Sequence, residues 1–161
     1  MGIENALRQQ TFRNDYQKAV MNLILTHNWV MEKLKTHLDT FNLTIQQFNI
    51  LRILRSSDEP LSTMQIRDRM LDKMSDTSRI VDRLVLKGLV KKSVSAHDKR
   101  LVDVIISEAG LSLLAEVDVH DHQVDGILAG LDENEVAMLS HLLNKVRAEE
   151  TQEVHFLRAV M

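Results

Sequence analysis

The sequence predicts a mainly α-helical protein carrying one small β-hairpin. Three observations lead there. Breakers are scarce: 161 residues contain one proline, Pro60, and five glycines, which favours long helices and short connections. Apolar residues recur at helical spacing on both sides of the chain's middle. Between those stretches the period changes, and residues 89–94 and 101–106 form two β-branched runs of strand length.

Taken in order, residues 10–38 read as one long helix, with Phe12, Tyr16, Val20, Leu23, Trp29 and Leu34 near one stripe. Thr44 with Gln47 fits a capping box for a helix through Ile45, Phe48, Leu51 and Leu54, ending near Ser56. Asp58, Glu59 and Pro60 make a turn. Ser62 with Gln65 gives a second capping box, for a short helix to about Leu71. Ser75 is expected to cap the next helix, with Asp76 in its first turn, where the helix dipole favours an acid. That helix runs to Lys87, and Gly88 stands where a left-handed C-terminal cap belongs. Ile80, Val81 and Leu84 form its apolar stripe, which leaves Thr77, Ser78, Arg79, Asp82 and Arg83 on the other face. The hairpin follows, with a polar, basic tip over residues 95–100. After Gly110, residues 111–128 read as one helix, and Asp132 caps a last one to about Arg147.

Composition excludes several functions. There is no cysteine, so disulfides, thiolate zinc sites and thiol redox sensing are out. No stretch approaches the ~18 uninterrupted apolar residues of a membrane span, and the polar N-terminus lacks a signal peptide's apolar core. The expected compartment is the cytoplasm. The net charge of −3 argues against a polyanion partner until its distribution is considered. Residues 64–103 hold ten basic and six acidic side chains, which leaves −7 on the rest. Mixed charge on a solvated helix pair and a surface facing nucleic acid both fit that asymmetry.

Two short helices joined by a tight turn and followed by a hairpin describe a winged helix-turn-helix. A helix fits the DNA major groove, where base edges carry a distinguishable donor and acceptor pattern. A basic hairpin beside it reaches phosphates or the adjacent minor groove, whose negative potential suits arginine.

At three stretches the sequence resembles the MarR family of bacterial transcription regulators. They are Thr44-Ile-Gln-Gln-Phe-Asn-Ile-Leu51, Ser78-Arg-Ile-Val-Asp-Arg-Leu-Val-Leu-Lys-Gly-Leu-Val90 and Asp98-Lys-Arg-Leu-Val-Asp-Val-Ile-Ile-Ser-Glu-Ala-Gly110. Asp98 and Arg100 supply the family's Asp-x-Arg wing element, and Ser107 to Gly110 varies its Leu-Thr-x-x-Gly-like end. One departure is Arg67, which stands where the family usually places a small alanine against the next helix. The resemblance implies one MarR-like domain over residues 1–161. Residues 44–108 would form the DNA-binding lobe, and 10–38 with 111–161 the dimerisation helices. It also implies a homodimer on a pseudo-palindrome of double-stranded DNA, acting as a ligand-responsive repressor and not as an enzyme, without a cofactor.

By that match Arg100 enters the minor groove from the wing tip, Asp98 holds its fork in place, and Lys99 contacts phosphate. The rival reading of Asp98 and Arg100 is a surface ion pair closing a hairpin, worth ~0 to 1 kcal/mol. Thr77, Ser78 and Arg79 open the recognition helix. Arg79 either reads guanine with both donors or positions the helix on phosphate. Arg83 binds phosphate or pairs within its own helix. Ser62 and Thr63 either face a phosphate at a helix N-terminus or are plain caps.

Three other readings compete. His120 and His122, with Asp118, Asp121 and Asp125, make an acidic histidine cluster in which Asp118 and His122 share a helix face. A solvated face is the favoured reading there, and no metal ligand is assigned. His97-Asp98 and His120-Asp121 echo the pairs of metal-dependent phosphohydrolases, but a hairpin tip is a poor place for a preorganised site. A winged-helix module that binds protein is the third. Related regulators often take small aromatic or phenolic effectors between the dimer helices and the DNA-binding lobe. Trp29, Phe41, Phe48 and several methionines suit such a pocket, though apolar residues at helical spacing are more often core.

Overall fold

Asn14, Thr44, Ser62, Asp76, Ser107 and Asp132 each accept a hydrogen bond from the backbone N–H three residues on, and each opens a helix. At Thr44, Ser62 and Asp132 the third residue, Gln47, Gln65 or Glu135, reaches back to the cap's own N–H and completes a capping box. The computed structural model describes residues 2–8, 11–94, 102–120 and 122–160. Its helices are α1 (Ile3–Leu7), α2 (Asp15–Asp39), α3 (Ile45–Arg55), α4 (Thr63–Arg69), α5 (Thr77–Leu86), α6 (Glu108–Asp118), α7 (His122–Asp125) and α8 (Glu133–Val160). Its strands are β1 (Leu61–Ser62), β2 (Val90–Val94) and β3 (Val102–Ile106). The chain divides into two compact units, Met1–Val124 and Asp125–Met161.

In the first unit, Leu38, Ile50, Leu51, Leu54, Ile66, Val81, Leu84, Val104, Leu114 and Val117 form one buried core. Each such side chain contributes about 1.5–3 kcal/mol by leaving water. Of the predicted stripes, Leu51 and Leu54 of α3 and Val81 and Leu84 of α5 are buried in it, and Ile45, Phe48 and Ile80 pack half-buried against it. Ile50 and Ile53, outside the predicted stripe, are buried as well. Strand β3 is the middle of the sheet, in the order β1-β3-β2 and antiparallel throughout. Val90 faces Ile106, Lys92 faces Val104 and Val94 faces Val102, while Leu61 faces Val104 on the other side.

The turn into β2 is a left-handed cap. Gly88 has φ 71°, its N–H donates to Val85 O, and Leu89 N–H donates to Leu84 O. Ser107 then ties wing to helix: its hydroxyl donates to Gly88 O at 2.7 Å and accepts from Gly110 N–H at 3.1 Å. Gly110 lies inside α6, and a Cβ there would come within 2.3 Å of Leu89 O.

Several expectations change. The long helix starts at Asp15 behind Asn14, and a short α1 precedes it with Ile3 buried. A third strand, β1, joins the hairpin. Asp76 and not Ser75 caps α5. The Ser75 hydroxyl donates instead to Asp72 Oδ2 at 2.6 Å, because Asp72 turns the chain ahead of the helix and also accepts from Met74 N–H. The stretch expected as one helix over 111–128 is broken. Helix α6 begins at Glu108 behind Ser107 and ends at Asp118, and α7 and a 3-10 turn over Gly126–Leu128 follow. Helix α8, in the second unit, continues past Arg147 to Val160. Among the described residues, no helix is long and apolar enough to cross a membrane.

Candidate nucleic-acid interface

Helix α5 divides cleanly. Val81 and Leu84 are buried, while Ser78, Arg79, Asp82 and Arg83 are exposed on the opposite side. Thr77 is a correction to the expected exposed face. It is only 5% exposed, and its hydroxyl points inward to Met70 Sδ at 3.4 Å. The first turn of α5 lies against the end of α4, so position 77 faces the core.

The exposed face of α5 borders a groove of about 270 Å³ shared with the start of α3. Thr44, Gln46 and Gln47 line one side, and Ser75, Asp76, Arg79 and Arg83 the other. Thr44 and Gln46 were not among the site residues expected from the sequence. The capping box marks a helix start, and only the tertiary fold brings that start beside α5.

The basic residues divide by what holds them. Arg79 Nε lies 3.9 Å from Asp76 Oδ2, a loose exposed pair. Lys92 reaches from β2 to Asp82 at 2.7 Å. Lys73 donates to the Asp68 carbonyl. Among the described residues, Arg67, Arg69, Arg83 and Lys91 have no ion-pair partner. Arg67 is exposed, so the departure from a small residue there leaves the helix-turn-helix packing intact. The turn that feeds α5 is braced by Asp72, whose carboxyl is held below the ordinary aspartate range by hydrogen bonds from the Ser75 hydroxyl and Met74 N–H.

Ser62 is half-buried and engaged in its capping box, and Thr63, also half-buried, is the first residue of α4. Asp98, Lys99, Arg100 and His97, with the rest of the expected wing tip, lie outside the described residues.

The acidic histidine cluster is already bonded elsewhere. Arg55 holds Asp118 with two bonds of 2.5 and 3.2 Å. His120 Nδ1 lies 3.0 Å from Glu116 O, and its ring stands 5.6 Å from Phe41. Asp121 lies outside the described residues. Among the described residues, no group of three or more His, Asp or Glu is placed to hold a metal ion.

A sequence profile of the MarR family matches residues 41–101, the span from the turn before α3 into the expected wing. The HTH-type transcriptional regulator MhqR of Bacillus subtilis is 29% identical over 131 residues, covering 80% of this chain and 89% of its own. A mutant MarR from Escherichia coli, solved in complex with operator DNA, superposes with a TM-score of 0.75 at 23% identity, over 85% of this chain and 99% of that one. BpsR of Bordetella bronchiseptica, solved to explain regulation of its DNA binding by 6-hydroxynicotinic acid, gives a TM-score of 0.71 at 21% identity, over 81% and 98%. The two structures share the fold, and the sequence relative is a transcription regulator. The phosphohydrolase reading is therefore set aside. Profile, sequence relative and fold all point the same way: the chain is similar to the MarR family of transcription regulators and shares the winged helix-turn-helix fold of its solved neighbours.

Proposed function

We propose that two copies of the chain bind a pseudo-palindrome of double-stranded DNA in the cytoplasm and repress transcription until a small aromatic or phenolic effector releases them. The exposed face of α5 carries this reading: Ser78, Arg79 and Arg83 lie together on one side of a helix whose other side is locked in the core. Arg79 reads a base edge or steers on phosphate, and Arg83 contacts phosphate. The wing residues Lys99 and Arg100 reach the neighbouring minor groove, with Asp98 holding the arginine. Ser62 and Thr63 bring the α4 N-terminus toward the backbone. Thr77 contributes from inside, by seating the first turn.

The dimer rests on apolar surface that the first unit leaves in water. Tyr16, Val20, Leu23, Ile24 and Trp29 of α2 are all more than 40% exposed. Such a row is costly for a monomer and ordinary for an interface. In the second unit, Met138, Leu142 and Val146 of α8 repeat every four residues and are exposed as well. A two-fold axis would set the two α5 helices about 34 Å apart, one turn of DNA. The effector follows the regulation of the Bordetella relative by 6-hydroxynicotinic acid, and it must favour one spacing of the two helices over another to regulate at all.

Fluorescence anisotropy tests this. Duplex from the DNA upstream of the chain's own gene is titrated against a scrambled duplex, at low and near-physiological salt. Tight, salt-sensitive binding that prefers the upstream duplex is expected. Weak binding, equal on both, would sink the operator assignment and favour a winged helix that binds protein.

A further inference from the structure

Arg79, Arg83 and Lys87 stand at i, i+4 and i+8, one stripe along α5 and its C-cap. By spacing alone, Lys87 is the third cation on the face turned to a polyanion. Its ammonium is instead folded back. Lys87 Nζ donates to the backbone carbonyl of Asn42 and, at 3.2 Å, to Gln47 Oε1. Both acceptors are themselves fixed. Asn42 holds φ 54°, in the turn that joins α2 to α3. Gln47 is buried, and the same Oε1 accepts the Thr44 N–H at 3.2 Å in the capping box that starts α3. One ammonium therefore joins the end of α5, the start of α3 and the turn leaving α2.

From this geometry we infer that Lys87 is a positioning residue for DNA recognition: it sets the inclination of α5 against α3 and touches no phosphate. The inference rests on the DNA-binding reading above and deepens it. The N-terminal end of α5 is seated by Asp76 and by Thr77 against Met70. Lys87 fixes the other end, ahead of the flexible-backbone position Gly88. With both ends held, Ser78, Arg79 and Arg83 meet a duplex at one angle. Because Asn42 continues from α2, a shift of that helix is passed to α5 through the same ammonium. Lys87 is thus removed from the set of phosphate-facing cations and placed in the frame that aims them.

Lys87→Met keeps the apolar stem and removes the donors. It is titrated against the upstream and the scrambled duplex over a salt series. The affinity for the upstream duplex should fall about five- to tenfold, as both hydrogen bonds of the ammonium are lost and part of their energy no longer holds α5 at its binding angle. Affinity for the scrambled duplex and the slope of log Kd against log salt should stay unchanged. A phosphate contact would behave differently, weakening both duplexes alike and lowering the slope by about 0.9; that result, or no change at all, overturns the inference. Amide exchange supplies a readout that needs no DNA. In Lys87→Met, exchange at residues 42–48 and 87–89 should rise while the cooperative melt persists. Unchanged exchange overturns the inference even if the wild-type protein shows no duplex preference, a result that would separately sink the operator assignment.

Discussion

Helices α2 and α3 follow one another in the chain and have opposite relations to water. Of eleven residues in α3, five are buried, and its neighbours α5, α6 and β3 surround it. Of twenty-five residues in α2, only His37 and Leu38 are buried, both in the last turn. Yet α2 carries at least as many large apolar side chains as α3. The lesson is that the winged lobe closes a core of its own, whereas α2 keeps Tyr16, Val20, Leu23, Ile24 and Trp29 exposed among the described residues. Sequence periodicity reports an apolar face, not which molecule covers it.

Placing charge on that uncovered face should have the largest effect. Val20→Glu with Ile24→Glu puts two carboxylates into the proposed interface, at a cost of several kcal/mol, on the order of that for unpaired buried charge. Sedimentation should show a dimer for the wild-type chain and a monomer for the variant, with the melt of the winged lobe retained. A variant that stays dimeric removes α2 from the interface. The converse change belongs in the lobe. Leu84→Ala leaves a cavity in a fully buried site and should cost about 2–5 kcal/mol in urea unfolding. A loss below ~1 kcal/mol would mean that the lobe is less self-sufficient than its burial suggests.

Gly110→Ala comes next. Its Cβ would meet Leu89 O at 2.3 Å, a backbone atom that cannot step aside without moving the start of the wing. A penalty of about 1–3 kcal/mol is expected for overpacking, read from the urea midpoint. An unchanged midpoint would show that the junction between wing and α6 yields. The smallest effect should be acid sensitivity at Asp72. Its carboxyl is lowered in the folded chain by Ser75 and Met74, so its contribution is complete above the unfolded value and disappears as pH falls through the folded one. The difference in melting temperature between wild type and Asp72→Ala should therefore close as the solution is acidified. A gap that persists at low pH would assign the stabilisation to shape and not to charge.

Features built from local chemistry were legible in the sequence. Thr44 with Gln47, Ser62 with Gln65, and Asp132 with Glu135 announce helix starts because each pair satisfies backbone groups three residues apart. Gly88 announces a stop because its left-handed φ suits no other residue as well. The misses depend on distant partners. Strand β1 is two residues long and exists only because β3, some forty residues later, pairs with it. Thr77 is oriented by Met70, the C-cap of the preceding helix, and Lys87 by acceptors at least forty residues earlier. The break after Asp118 hides in an apolar run that keeps helical spacing through it. Of the candidate site, the stripe of Ser78, Arg79 and Arg83 was legible, whereas the contribution of α3 to the same groove was not.

The two-residue β1 has a further consequence, for solubility. Strand β2 pairs with β3 along its whole length and β1 covers Asp103 and Val104 on the other side, so the rims of the described sheet are β2 and the short β1. A rim of unpaired N–H and C=O groups is a template for strands of other chains. One rim is too short to recruit a partner strand. The other carries Lys91, which has no ion-pair partner among the described residues, beside Lys92, held by Asp82; a second chain approaching there must bring like charge up to Lys91 or leave its ammonium without water. The cationic side chain that keeps this rim in water is thereby also what keeps other strands from joining it.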